Sequence, residues 1–250
     1  MSTERRVDDP GLLRLLWQVE DAPSTRSGLS TDAVVEVAVA LADEQGLERL
    51  TMRAVADRLG VGTMSLYTYI PGKVELVLLM QHRVLGELLP GAPAEGWREG
   101  LRVMAHEHWR LYERHPWLLD VPLRRPALGP NHLDRYEHEL RIVDGIGLDD
   151  HEMNAAIEVV QGHVAGAAQR LRRIRQDADA SGMSDDEWWY SVLPTLTQVL
   201  ADRSYPVSGR VGEAIGAPHL DTDYLMEFGL ERILDGLEAL VAARGGEPAG

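Results

Sequence analysis

The chain has 250 residues, 44% of them apolar, no cysteine and a formal net charge of −15. That apolar content supports a sizeable core in one or two domains; the missing cysteine excludes disulfides, thiolate zinc sites and cysteine nucleophiles, and the acidity argues against a general polyanion binder. No apolar run approaches the length of a membrane span, and the N-terminus lacks the apolar core of a signal peptide, so the sequence predicts a soluble, cytoplasmic protein without membrane contact.

Taken in chain order, residues 1–28 read as a flexible arm. "GLLRLLWQ" has the leucines for an amphipathic turn or two between Pro10 and Pro23, and Arg26 lies in the basic patch "PSTRSG". The first clear helix follows Ser30, a good N-cap, with Val34, Val37, Ala38, Leu41 and Ala42 at helical spacing up to Gly46. A short helix over Met52–Leu59 follows, with Thr51 as cap and Gly60 as stop. Another covers about Thr63–Tyr69, and Pro71-Gly72 breaks the chain before a helix from Lys73 to about Leu89. Further helices are predicted over 95–114, 116–121, 131–145, 150–176, 185–202 and 222–243. The turn-rich segment 204–221 is predicted to be a loop. No strand-like alternation is convincing, so the fold class is all-α, with an arm over 1–28, one domain over 29–89 and a second over 90–250.

Charge is unevenly placed. Residues 91–250 hold 16 Lys+Arg against 27 Asp+Glu, whereas residues 49–73 contain Arg49, Arg53, Arg58 and Lys73 against the single acid Asp57. This positive window coincides with "LTMRAVADRLGVGTMSLYTYIPGK", a capped helix with Ala54, Val55 and Leu59 inward, a glycine turn and a second short helix. That is helix-turn-helix grammar. The second helix presents Thr63, Ser65, Thr68 and Tyr69, groups of a size that reaches base edges and phosphates. On spacing alone, an ordinary helical hairpin explains the pattern equally well.

The segment "LTMRAVADRLGVGTMSLYTYIPGKVEL", within a match from about Leu29 to Met80, resembles the DNA-binding domain of the tetracycline-repressor (TetR) family of bacterial transcription regulators. The remaining two-thirds is similar in length and layout to that family's helical C-terminal region. The resemblance implies an N-terminal helix-turn-helix domain followed by a larger ligand-binding and dimerisation domain. It implies a repressor that binds a palindromic operator in double-stranded DNA as a homodimer and is released by a small-molecule effector. Residue by residue, it implies that Thr51, Tyr67 and Lys73 hold phosphates, that Arg53 reaches a guanine, that Thr63, Met64, Ser65 and Tyr69 face base edges or sugar, and that Arg26 enters the minor groove. Lys73, the only lysine, then has a reason to stand in the first turn of a helix, where a cation is otherwise mildly unfavourable.

Two weaker patterns lie in the C-terminal region. Gly229, Gly236 and Ala243 recur every seven residues on one face of the last helix, and Gly162 and Gly166 lie together on an earlier one. Helical glycine costs about 1 kcal/mol against alanine, which suggests a packing reason. The family dimerises through two late helices, so these residues are expected to line the dimer seam. An apolar stripe of Trp97, Leu101, Met104, Ala105, His108, Leu111 and Tyr112 joins the aromatic run Trp188-Trp189-Tyr190 as core or as effector pocket, with Met104, His108, Tyr112, Trp188 and Trp189 as candidate pocket residues.

The rival classes are an enzyme, including a metal-dependent one, and a helical ligand-binding or interaction protein without DNA binding. No GxSxG, P-loop, HExxH or GxGxxG motif is present, and no cofactor or metal is expected. "HLDTD" (219–223) has metal-ligand residue types, but a helix start capped by Asp221 or Thr222 explains it better.

Overall fold

The computed structural model describes residues 9–18, 29–88, 95–121, 128–215 and 221–245, and every regular element among them is helical. α1 (Asp9–Leu16) precedes a compact head of α2 (Thr31–Gln45), α3 (Met52–Leu59) and α4 (Thr63–Leu66). α5 (Lys73–Leu85) connects the head, through a 3₁₀ turn at Gly86–Leu88, to a body of α6 (Gly96–Arg114), a 3₁₀ segment at Pro116–Asp120, α7 (Pro130–Val143), α8 (Asp150–Ser181), α9 (Asp185–Val199), α10 (Pro206–Ile215) and α11 (Thr222–Ala243).

The helix ends follow local chemistry. Ser30 Oγ accepts from the Ala33 amide at 3.1 Å and Thr51 Oγ1 from the Ala54 amide at 3.0 Å, each satisfying an otherwise unpaired N–H. Gly60 closes α3 in the left-handed region, at φ 69° and ψ 28°. Its amide donates to Asp57 O at 3.2 Å and the Val61 amide to Ala56 O at 3.0 Å, the paired C-terminal bonds that favour glycine. Asp149 and Glu152 cap α8 reciprocally. In the "HLDTD" segment, Asp221 is the cap, accepting from the Tyr224 amide at 2.9 Å.

Two apolar cores hold the helices other than α9 and α10. The first gathers Val34, Ala38, Val55, Ala56, Leu66, Ile70, Leu76 and Met80, all fully buried, and extends to Leu111, Trp117, Leu118 and Val121 of the body. The second lies between α6, α7, α8 and α11. Leu101, Met104, Ala105, Val143, Ile157, Val160 and Val164 meet Met226, Leu230, Leu234 and Val241 there.

Three elements differ from expectation. Part of the expected arm is a docked helix: Leu12 and Leu16, one turn apart, are buried in the first core. Arg26 lies outside the described residues. Within 204–221, expected to be a loop, residues 206–215 form α10. Proline is compatible with the first turn of a helix, whose N–H groups lack intrahelical partners in any case, and Val207, Val211 and Ile215 recur every four residues. The turn-former composition concealed that stripe. Lastly, α9 and α10 bury none of their residues. Among the described residues, no helix is long and apolar enough to cross a membrane.

Candidate nucleic-acid interface and the body behind it

α3 and α4 are fixed from below. Val55, Ala56 and Leu66 are fully buried, and Gly60 sets the angle between the two helices. The opposite side is therefore presented outward. Met64 is 77% exposed, Ser65, Tyr67 and Thr68 are exposed beside it, and Thr63 is half-buried. Thr51 is exposed at the start of α3, its oxygen engaged as cap acceptor while its O–H remains able to donate outward.

Tyr69 is a correction. Expected at base edges or sugar, it is only 5% exposed and packs into the first core. α4 ends at Leu66, and the following turn, with the Tyr69 amide donating to Leu66 O at 2.9 Å, rotates the ring inward. Thr68 is exposed instead.

The cations differ in their freedom. Arg58 is tied to Glu44 by two hydrogen bonds of 3.2 and 2.7 Å, and this hydrogen bonding, followed by the Arg58 charge, holds the Glu44 carboxyl below its ordinary value. Among the described residues, Arg53 has a loose contact with Asp57 at 3.8 Å, and its side chain is 85% exposed. Lys73 is exposed, and its Nζ donates to Leu47 O at 3.1 Å. The cation thus pins the start of α5 to the α2–α3 connection, a structural role the sequence did not disclose. Gly72, the N-cap of α5, has no side-chain cap bond.

The head meets the body at a polar joint. Trp117 Nε1 donates to Asp43 Oδ1 at 2.8 Å, and the His115 ring contacts Asp43 Oδ1 at 2.8 Å and Glu87 Oε1 at 3.2 Å. Sequence reading missed these residues, because nothing in their spacing brings Asp43 to His115.

In the body, Met104 and His108 are buried and Tyr112 is half-buried. His108 belongs to a buried network. Its Nε2 lies 2.8 Å from Glu139 Oε1, Arg135 Nη1 donates to both Glu139 oxygens at 2.8 Å, and Gln161 Nε2 donates to Oε2 at 2.8 Å. Burial by itself would raise the Glu139 carboxyl, but the His108 hydrogen bond and the Arg135 charge outweigh it and hold the group below its ordinary value. Arg135 Nε is buried without a partner. Arg135, Glu139 and Gln161 were also missed; the Arg-x-x-x-Glu spacing of an i,i+4 pair was the available signal. Trp188 and Trp189 do not join this group, because α9 buries nothing and Trp188 is 50% exposed.

The small-residue stripe divides. Gly229 faces α8 of the same chain: a Cβ there would stand 2.1 Å from His163 Cε1, and His163 Nε2 reaches Met226 O at 2.8 Å. Its packing reason lies inside the chain, which corrects its assignment to the dimer seam. Among the described residues, Gly162, Gly166 and Gly236 have nothing within 4 Å of an added Cβ, and Ala243 is exposed.

Comparison with known proteins decides the family. Residues 34–80 match the model of "Bacterial regulatory proteins, tetR family", and residues 89–241 match "Tetracyclin repressor-like, C-terminal domain". The chain belongs to the tetracycline-repressor family. It is 46% identical over 244 residues to the HTH-type transcriptional repressor DrrR1 of Streptomyces coeruleorubidus, covering 95% of this chain and 88% of that protein. It is 33% identical over 222 residues to the HTH-type transcriptional repressor Rv1353c of Mycobacterium tuberculosis, covering 84% and 80%. Among solved structures, ActR of Streptomyces coelicolor in complex with (S)-DNPA superimposes with a TM-score of 0.66 at 26% identity, over 84% of this chain and 98% of that one. As a TetR-family member, the chain is a helix-turn-helix, DNA-binding transcriptional regulator.

Proposed function

We propose that this TetR-family chain works as a homodimer that grips a palindromic operator through two copies of α3 and α4 and releases it when a small molecule occupies the body. The observation that carries the DNA reading is the outward surface of the head: Met64, Ser65 and Tyr67 beside Arg53 and Lys73, on a support whose core residues are fully buried. Arg53 suits a bidentate contact to guanine, Thr63, Met64 and Ser65 suit base edges or sugar, and Thr51, Tyr67 and Lys73 suit phosphates.

The dimer reading is supported by surfaces that one chain leaves uncovered. Gly162, Gly166, Gly236 and Ala243 form open small-residue faces on α8 and α11. α9 and α10 expose Tyr190, Val199, Val207, Val211 and Ile215. Exposed apolar residues on this scale suit an interface, and a second copy is the partner that would cover them together with the outward faces of α8 and α11. The effector reading is supported by the buried network of His108, Arg135 and Glu139 close to Tyr112, an otherwise apolar interior with a few convergent polar groups, and by the ligand-bound state of ActR.

Selection of bound duplexes from a random pool, with light scattering of the complex, tests the proposal. The expected product is an inverted repeat with half-site centres about 10–10.5 base pairs, or a multiple, apart, bound by an even number of chains. An asymmetric site bound by one chain overturns the dimer; no selected sequence overturns specific recognition.

A further inference from the structure

The segment ahead of the DNA-binding head does something unexpected: it reaches the body. α1 lies against α5, with Leu12 and Leu16 buried. Just beyond it, Trp17 Nε1 donates to Leu128 O at 2.9 Å. Leu16 also touches the chain at Gly129, where an added Cβ would lie 3.1 Å from Leu16 Cδ2 and 2.8 Å from His82 Nδ1. Gly129 is the N-cap of α7. The next turn closes the joint: Asn131 Nδ2 donates to His82 O of α5 at 2.9 Å, and Gly86 lets the Asn131 side chain approach so closely that a Cβ there would stand 2.6 Å from it.

Three elements therefore meet at one point. α5 is the helix that carries the head. α7 carries Arg135 and Glu139 of the buried network. α1 precedes the head in sequence and is held to both. From this juxtaposition we infer that α1 is an intramolecular strap: Leu16 and Trp17 clamp the entry of α7 against α5, so that the position of α7 sets the position of the reading head. Packed elements of this kind have discrete arrangements rather than a continuum, and a clamp across the joint makes α5 and α7 move as one body. The strap acts through α5 and touches no DNA in this role.

The distance from head to body tests it. Because the chain has no cysteine, Asp32→Cys on α2 and His151→Cys on α8, both exposed, take spin labels cleanly. The labelled chain is diluted into excess unlabelled chain, so that the measured distance is intrachain in any oligomeric state. The parent is expected to give one narrow distribution. Leu16→Ala and Trp17→Leu are expected to broaden or shift it and to weaken operator binding about 5-fold, the lower end of ordinary coupling between sites. Trp17→Phe keeps a ring and loses the N–H donor, and is expected to shift the distance in the same direction by less. Leu13→Ala, at an exposed position of the same helix, is expected to leave the distribution unchanged. If Leu16→Ala and Trp17→Leu lower the melting temperature and leave the distance distribution as in the parent, α1 is only a cover over the core and the inference is wrong. If Leu16→Ala does not fold, Trp17→Phe decides alone by the same criterion. This distance does not depend on the repressor reading: failure of the parent to bind any operator would break that reading and leave the strap result standing.

Discussion

The head and the body are both helical, yet they are finished to different degrees. In the head, α2, α3 and α4 bury Val34, Ala38, Val55, Ala56 and Leu66 completely, and Arg53, Met64, Ser65 and Tyr67 are among the groups left outside. The body buries ion-pairing groups, Arg135 and Glu139 together with His108, and leaves α9 and α10 with no buried residue at all. α9 has as good a start as any helix of the head, with Ser184 and Glu187 forming a reciprocal cap. Good capping thus makes a helix and does not place it. The head settles its packing within one chain, whereas α9 and α10 of the body leave their apolar residues uncovered by that chain.

The largest test of that difference is Glu139. Replacing it with alanine leaves the Arg135 charge buried without its carboxylate, which costs about 3–5 kcal/mol and is measurable by urea unfolding. The pH dependence has a definite sign. The folded carboxyl lies below its ordinary value, so its contribution is fully present above the unfolded value of about 4.3 and is lost as pH falls through the lower folded value. Glu139→Gln is expected to flatten that part of the acid unfolding curve; an unchanged curve would show that the network does not stabilise the body.

Next comes a matched pair of truncations. Leu66→Ala in the head is expected to cost about 2–5 kcal/mol. Val211→Ala on α10 is expected to change the unfolding free energy of the isolated chain by no more than about 0.5 kcal/mol. Equal losses would abolish the contrast between the two regions.

Gly229 and Gly236 sharpen the comparison within one helix. Gly229→Leu drives a side chain into His163 and is expected to destabilise the fold by about 1–3 kcal/mol. Gly236→Leu meets open space in the chain, so it is expected to leave the fold intact and halve the mass seen by light scattering. A Gly236→Leu dimer would place the seam elsewhere.

Two further effects are read on operator binding by the head. Arg53→Ala is expected to cost about 1–3 kcal/mol on the preferred operator and to relax one base position. Lys73→Ala is expected to weaken specific and non-specific duplexes alike and to lower the salt slope by about 1.8 for a dimer, about 0.9 per lost phosphate contact. Titration of both variants across salt concentrations separates a phosphate contact from a purely internal bond to Leu47 O, because the latter would leave the slope unchanged.

The sequence by itself determined the elements whose causes are local. Ser30, Thr51 and Gly60 set helix ends through bonds spanning three to five residues, and helical periodicity identified the inward faces of α2 and α6 before any packing was known. The same locality explains the misreadings. The turn-former composition of 204–221 hid the Val207, Val211 and Ile215 stripe of α10, and the inward rotation of Tyr69 depends on α4 stopping at Leu66. Only the tertiary structure decided which distant groups meet: Asp43 with His115 and Trp117, Lys73 with Leu47 O, His108 with Arg135 and Glu139, Gly229 with His163, and Trp17 with Leu128 O. These contacts join residues from 26 to 111 positions apart, and they depend on helix crossings that no local pattern encodes. A hydrogen bond acts over about 3 Å, so its partner is fixed by the packing that brings the two chain segments together.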